Sequence, residues 1–186
     1  MPSGRTHDRI TFWGLPPLMG LTYLLSGKID LTLILVGSYL FSGLMFGPDL
    51  DIHSVQYNRW GIIRGIWLPY RFLLKHRSFF SHGFVIGTLL RLLYLGSILT
   101  LVAILGVAIA QLIWGFDWNW QQFTHRLIEL IMTEYLQEAI AFTIGLELGA
   151  MSHAISDYLD SAWKRYQKKK PTSNHRKRKT PRRSRK

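Results

Sequence analysis

Residues 92–114 carry no charged side chain over 23 consecutive positions, which restricts the folds open to this chain. As an α-helix, this stretch is about 35 Å long at 1.5 Å per residue, and the hydrocarbon core of a bilayer is about 30 Å thick. The segment therefore predicts a transmembrane helix. The alternative is a soluble helical fold that buries the segment internally.

Four apolar helical segments divide the chain, and the uncharged stretch belongs to the third. They span residues 10–25, 31–46, 84–114 and 136–159. Pro16 and Pro17 are expected to kink the first helix or delay its start. Residues 117–134 are polar and aromatic and are expected to form a connector. The pattern predicts an all-α fold in which four main apolar helices form a membrane-embedded bundle.

Histidine and aspartate recur in three short clusters. The clusters are Asp49-x-Asp51-x-His53, the pair His76 and His82, and the pair His153 and Asp157. The last pair is four residues apart, so both side chains share one helix face. In an apolar helix such groups are costly unless they are paired or bind a metal. Because the chain has no cysteine, any metal site must use nitrogen and oxygen ligands.

The order of the helices brings these clusters to one end of the predicted bundle. The first helix leaves from His7 and the second returns to Asp49 and Asp51. The third leaves after His82 and the fourth returns so that His153 and Asp157 face the same end. This convergence predicts a metal centre. The alternatives are a structural His–Asp hydrogen bond, an aspartate turn after the second helix and unrelated loop histidines.

Positive charge is concentrated at this same end. Residues 164–186 contain 13 Lys or Arg residues and no acidic residue. Only Lys28 and Arg126 fall at the opposite end. By the positive-inside rule, the protein is expected to be integral to the inner (cytoplasmic) membrane, with both termini and the metal site on the cytoplasmic side.

The charge distribution also divides the chain into two parts. We expect residues 1–163 to form a helical metal-binding domain and residues 164–186 to form a disordered basic tail, because the tail has almost no apolar residue to bury. Membrane lipid is the expected partner, with anionic headgroups contacting the tail. Specific nucleic-acid binding is not expected, because the tail lacks interleaved aromatic side chains.

Three sequence blocks resemble those of known families. They read P-D-x-D (48–51), H-R-x-x-x-S-H (76–82) and G-x-x-x-H-x-x-x-D (149–157). They are similar to blocks of a bacterial family of membrane-bound metal-dependent hydrolases. The stretch from Tyr57 to His82 more closely resembles a sister family of uncharacterised metal-binding proteins. Both families are distantly similar to the all-helical zinc phospholipase C and single-strand nuclease group.

The resemblance implies a ligand set and a mechanism. The metal is expected to be a divalent ion of the zinc type, in one or two copies, because the candidates are too few for the three ions of the nuclease group. Asp51 is a candidate general base, and Arg77 and Arg64 are candidates for holding an anionic substrate. The two arginines could equally contact anionic lipid. The implied metal ligands are His7, Asp49, Asp51, His76, His82, His153 and Asp157.

Two functions are compatible with these residues. The first is a metal-dependent hydrolase that acts on phosphoester or lipid-like substrates through a metal-activated water. The second is a non-catalytic membrane protein in which the ion is structural and joins the helix ends. An open coordination position would favour the hydrolase, and a closed protein-filled shell would favour the structural ion.

Overall fold

The computed structural model describes residues 4–76 and 78–169, and these residues form helices with no β-strand. The predicted all-α fold is therefore confirmed. Two 3₁₀ helices, Pro48–Asp51 and Gly61–Trp67, lie between α-helices of the described chain. The α-helices are α1 (Gly4–Ser26), α2 (Ile29–Leu44), α3 (Val55–Asn58), α4 (Leu68–Leu73), α5 (Phe79–His82), α6 (Ile86–Trp114), α7 (Trp120–Thr133) and α8 (Leu136–Lys169).

Helix boundaries differ from the sequence prediction at three places. Helix α1 begins at Gly4 and continues through Pro16 and Pro17, which are both partly or fully exposed. The expected connector contains α7, which starts where Asn119 accepts a hydrogen bond from the Gln122 amide. Helix α8 extends to Lys169, and the rest of the basic tail lies outside the described residues.

Helix α2 is the centre of the long-helix packing, with α1 on one side and α8 on the other. Two glycines allow α8 to approach closely. A Cβ atom at Gly145 would overlap the carbonyl oxygen of Leu35, and one at Gly149 would overlap that of Tyr39. Because the two glycines are four residues apart, they lie on one face of α8. The close approach places the segment that follows α2 beside the middle of α8.

An aromatic core lies beneath this segment. Trp67 and Leu50 are each 0% exposed, and Trp67 contacts the rings of Phe46 and Tyr70 at centroid distances of 5.7 and 5.6 Å. Leu50 is the residue between Asp49 and Asp51 in the first 3₁₀ helix. Its burial anchors this short helix, so the positions of both aspartates are fixed by apolar packing.

Three helical segments are long and apolar enough to cross a membrane, judged by length and composition: Ile29–Asp51, Ile86–Trp114 and Leu136–Gln167. Helix α6 differs from the other two. The most apolar window of α6 has no buried residue, and its few buried side chains, including Arg91, lie near its N-terminal end. Helix α6 therefore packs against the rest of the protein near its N-terminus and exposes an apolar surface along most of its length.

Candidate metal centre

The structure brings the seven side chains that the sequence singled out as ligands into one contiguous cluster. His7 lies in the first turn of α1, and Asp49 and Asp51 lie in the 3₁₀ helix after α2. His76 precedes α5 and His82 ends it. His153 and Asp157 come from the middle of α8. These elements are distant in sequence, and the packing of α1, α2 and α8 brings them together.

The deeper part of the cluster consists of His7, His153 and Asp157, all of them buried. His7 Nε2 lies 3.4 Å from Asp157 Oδ1. The rings of His7 and His153 are stacked at a centroid distance of 3.8 Å. One donor atom from each of the three residues lies within 4.8 Å of the other two. We call these residues the deep set.

The shallower part consists of Asp49, His76 and His82, which are partly exposed and again offer donor atoms within 4.8 Å of one another. His82 Nε2 lies 3.7 Å from Asp49 Oδ1. The rings of His76 and His82 meet edge to face at 5.2 Å. We call these residues the shallow set.

Asp49 of the shallow set also contacts the deep set. Its Oδ1 atom faces His82 of the shallow set, and its Oδ2 atom lies 3.2 Å from His153 Nε2 of the deep set. The two oxygens of one carboxylate therefore point to different groups of histidines. No other residue of the described chain ion-pairs with a histidine from each set.

Asp51 holds the shallow set in position through contacts with His76 and Ser81. Its side chain is fully buried, and Oδ1 lies 2.9 Å from His76 Nδ1. Ser81 donates a short hydrogen bond to Oδ2. Since the single hydroxyl proton of Ser81 goes to the carboxylate, its oxygen accepts the Nδ1 proton of His82 at 2.6 Å. Both histidines are thereby held as Nδ1–H tautomers with the Nε2 lone pair directed elsewhere.

A second serine, Ser156, fixes the tautomer of His7 in the same way. Ser156 donates to the carbonyl oxygen of His153 at 2.8 Å, so its oxygen accepts the Nδ1 proton of His7, also at 2.8 Å. The Nε2 lone pair of His7 is then directed at Asp157. The first turn of α1 is fixed independently, because Arg59 forms a two-pronged ion pair with Asp8, next to His7.

Several buried nitrogen and oxygen atoms in the centre, which could each bind a metal ion, have no hydrogen-bond partner among the described residues. They are the Nε2 atoms of His76, His82 and His153, and Oδ1 of Asp49. A buried polar atom without a partner costs about 1–3 kcal/mol. The cost is highest for His82 and Asp49, because the hydrogen bonds of Ser81 leave two acceptors facing each other. A cation between them removes this conflict.

Arg91 of α6 holds the α5 segment in place. Its guanidinium is 1% exposed and donates to the carbonyl oxygen of Ser81 at 3.0 Å and to the Thr88 hydroxyl at 2.9 Å. Burial raises the pKa of nearby Tyr70 above its ordinary value, although the charge of Arg91 opposes the shift. Tyr70 is therefore a neutral phenol, and Arg91 is a buried cation beside the centre.

Two cavities open onto the centre. One has a volume of about 250 Å³ and is lined by His7, Asp49, His53, His153 and Asp157 among other residues. The second, of about 420 Å³, is mainly apolar. His82, Phe84, Ile155, Asp157 and Tyr158 are among the residues that line it. Asp157 borders both, so the centre is accessible from a polar and an apolar side.

The candidate substrate residues are placed differently from the candidate ligands. Arg64 is exposed, contacts Asn58 at 3.2 Å and lines neither of these two cavities. Arg77 lies outside the described residues. Sequence reasoning missed the supporting contacts of Ser81, Ser156 and Arg91. Only the Ser81 position in the H-R-x-x-x-S-H block gave a signal that could have identified one of them.

The donor set fits a divalent metal ion. Zinc binds histidine nitrogen and carboxylate oxygen at about 2.0–2.2 Å, so ligand atoms in a tetrahedral shell lie about 3.4 Å apart. The ligand atoms within each set lie within 4.8 Å of one another, so an ion bound there would draw them closer together. The carboxylate behind His76 is the outer-shell partner that metal-binding histidines usually have.

A comparison with protein families agrees with this chemistry. A family model described as "Uncharacterized metal-binding protein (DUF2227)" matches residues 2–167. The match includes both sets and the residues that support them. No curated protein and no solved structure matches the chain.

Proposed function

Since the chain belongs to this family of uncharacterized metal-binding proteins, we propose that it is a membrane-bound metal-dependent hydrolase whose centre is formed by the deep and shallow sets. The proposed metal is a divalent ion of the zinc type. The proposed substrates are phosphoesters or lipid-like esters. The distant resemblance to zinc phospholipases and nucleases agrees with this reaction class.

One observation carries the proposal. The Nε2 atoms of His76 and His82, whose lone pairs are available, and Oδ1 of Asp49 are buried without hydrogen-bond partners among the described residues. Unpartnered acceptors of this kind are rare in folded proteins, because each one costs free energy. A cation is the ligand that satisfies all of them at once, and the donors are those that zinc-type ions prefer.

The residues have distinct tasks in this proposal. His7, His153 and Asp157 hold metal on the deep side, and Asp49, His76 and His82 hold it on the shallow side. Asp51 positions His76 and Ser81, because both of its oxygens are already engaged and its side chain is fully buried. This burial supports a positioning task for Asp51 rather than that of a general base. A bound ion of the zinc type supplies Lewis acidity, which activates water near neutral pH.

Access to the centre favours hydrolysis over a purely structural ion. A structural site is closed by protein ligands, whereas a catalytic site keeps a position open. Here the polar cavity reaches His7, Asp49, His153 and Asp157, so water and a substrate oxygen can approach. A structural ion has one observation in its favour. Helices α1, α5 and α8 all contribute ligands to the centre, so an ion there would join them.

The long apolar helices support a membrane location. Segment Ile86–Trp114 has the length and composition of a membrane span, and its most apolar window has no buried residue. Burial in lipid would remove this surface from water. The basic residues near the metal end would then face the anionic cytoplasmic leaflet, and the C-terminal tail would bind its headgroups.

A metal and activity measurement tests the proposal. The wild-type protein is purified in detergent, its metal content is measured by elemental analysis, and hydrolysis of bis-p-nitrophenyl phosphate is followed before and after chelation. We expect bound metal and a chelator-sensitive rate. His153→Ala should lower both, while His125→Ala on exposed α7 should change neither. A folded wild type without metal contradicts the metal site, and bound metal without a rate towards phosphoesters or esters supports the structural alternative.

A further inference from the structure

We propose that the centre holds two divalent cations, one in each set, and that the Asp49 carboxylate bridges them. This inference rests on the metal site of the proposed function and does not require hydrolysis. It assigns a number of ions, a bridging ligand and a difference in affinity between two positions. Each of these can be measured without an activity assay.

The number of donors is the first argument. A single zinc-type ion takes about four protein or water ligands at about 2.0–2.2 Å. The centre offers a deep set of three residues and a shallow set of three, each compact enough for one ion. A single ion in the deep set would leave the Nε2 atoms of His76 and His82 without a partner among the described residues, with the cost already described. Two ions use both sets and leave room for water on each.

The position of Asp49 is the second argument. Oδ2 lies 3.2 Å from His153 Nε2, and Oδ1 lies 3.7 Å from His82 Nε2. Two ions held by one Asp49 oxygen each would lie close together, as the ions of two-metal hydrolytic sites do, at about 3.5–4 Å. Asp49 therefore occupies the place of a bridging ligand. Asp51, two residues away, cannot take this place because His76 and Ser81 engage both of its oxygens.

The third argument comes from the serine hydrogen bonds. Ser81 and Ser156 each accept an Nδ1 proton, one from His82 in the shallow set and one from His7 in the deep set. Each set therefore contains a histidine prepared to donate an Nε2 lone pair. Outer-shell partners of this kind are usual for metal-binding histidines, and both sets have one.

The two positions should differ in affinity. The side chains of His7 and His153 are 6% and 3% exposed, whereas that of His76 is 28% exposed. Solvent reaches the shallow position more easily, and His76 sits in a loop outside the helices. We expect the shallow ion to exchange faster and to be removed first by a chelator.

Stoichiometry tests the inference on the full chain in detergent. Metal-free protein is reloaded with Zn²⁺, and the ions bound per folded chain are counted after gel filtration. We expect two for wild type, one for His76→Gln and one for His7→Gln, with two retained in His125→Gln. Circular dichroism confirms that each variant is folded. One ion in the wild type overturns the inference but keeps the metal site, and none overturns both.

Electron paramagnetic resonance tests the bridge. Protein loaded with two Mn²⁺ ions should give an exchange-coupled spectrum, because a shared carboxylate couples the spins. Asp49→Asn, which can bind through one oxygen only, should give the spectrum of uncoupled ions or of a single ion. Two uncoupled ions in the wild type overturn the bridge, as does unchanged coupling in Asp49→Asn.

Discussion

At the scale of single residues, the hydrogen bonds of Ser81 and Asp51 decide which nitrogen of each shallow-set histidine is free to bind a metal. The Ser81 hydroxyl donates to Asp51 and accepts from His82 Nδ1, while Asp51 also accepts from His76. The fully buried carboxylate thus orders two imidazoles without meeting the cavity itself. Outer-shell partners of this kind are often as important for metal affinity as the ligands.

Replacing Ser81 with alanine should weaken metal binding. Ser81→Ala removes the acceptor of the His82 proton and one hydrogen bond to Asp51, so the ring can rotate and change tautomer. The loss of such a partner typically lowers metal affinity by about 10–100-fold. Competition with a chromophoric chelator measures the affinity. Ser97→Ala, at an exposed position of α6, is the control and should bind metal like the wild type.

Arg91→Lys should also lower metal affinity, although it preserves the charge. Lysine cannot reach the Ser81 carbonyl and the Thr88 hydroxyl together with a planar fork, as the Arg91 guanidinium does. The buried Ser81 carbonyl then loses a partner, at a cost of about 1–3 kcal/mol. Thermal unfolding in detergent and the chelator competition should both show the loss. Unchanged values in both measurements would exclude this positioning task.

The candidate metal ligands could be predicted from the sequence, but the residues that hold them in position through hydrogen bonds could not. Histidine and aspartate at helix ends stand out in an apolar chain because they are costly there without a partner. Serine has no such cost, and nothing in the sequence near Ser156 marks its contact with His7, which is 149 positions away. Arg91 could not be recognised either, because its partners are a backbone oxygen and a neighbouring threonine.

At the scale of helices, the contact between α2 and α8 sets the distance between Asp49 and His153. Gly145 and Gly149 let the two backbones approach, since a side chain at either position would overlap a carbonyl oxygen of α2. His153 and Asp157 of the deep set lie about one and two turns beyond Gly149 on the same helix. A small displacement of α8 would therefore move His153 and Asp157 away from Asp49.

Gly-to-Ala substitutions on this helix pair should have opposite signs. Alanine in a helix interior is favoured over glycine by up to about 1 kcal/mol, so Gly37→Ala, at an open position of α2, should raise thermal stability slightly. Gly149→Ala should lower it and weaken metal binding, because the new Cβ atom meets Tyr39 and Ser42. Thermal scans and chelator competition measure both effects. A stabilised Gly149→Ala protein would contradict the close packing.

Helices could be predicted from the sequence where a long run of apolar residues forms them. They were harder to predict where shorter segments mix polar and aromatic residues. The four long apolar segments all became helices, with ends shifted by a few residues or more. Helix α7 was missed because its tryptophans and polar residues suggested a surface connector, yet Phe123, Leu127 and Ile131 recur at helical spacing. Pro16 and Pro17 lie inside α1 and do not end it.

At the scale of the whole molecule, the chain separates a polar metal end from an apolar surface. The metal centre lies at the first turn of α1, just beyond the end of α2 and beside the middle of α8, and the most apolar window of α6 has no buried residue. That the ligands would meet could be predicted, because alternating helix directions return every second helix end to the same side. The loose attachment of α6 could not be predicted, because hydropathy does not distinguish lipid from protein as the covering partner.

The absence of cysteine from the sequence allows the membrane orientation to be tested by labelling. Single cysteines are introduced as Gln121→Cys on α7 and Asn58→Cys near the metal end, both at exposed positions. By the positive-inside rule, an impermeant maleimide should label Gln121→Cys in intact cells, and Asn58→Cys only after permeabilisation. The reverse pattern would invert the proposed orientation. Release of the protein by alkaline carbonate would contradict membrane integration.

The most direct test of the central claim is the location of the metal itself. Crystals of the zinc-loaded protein are measured on both sides of the zinc absorption edge, and an anomalous difference map shows where the ions lie. Our account predicts anomalous peaks within bonding distance of the deep and shallow sets, one on each side of the Asp49 carboxylate. A map with no peak at these histidines, or with peaks only at other parts of the chain, would contradict it.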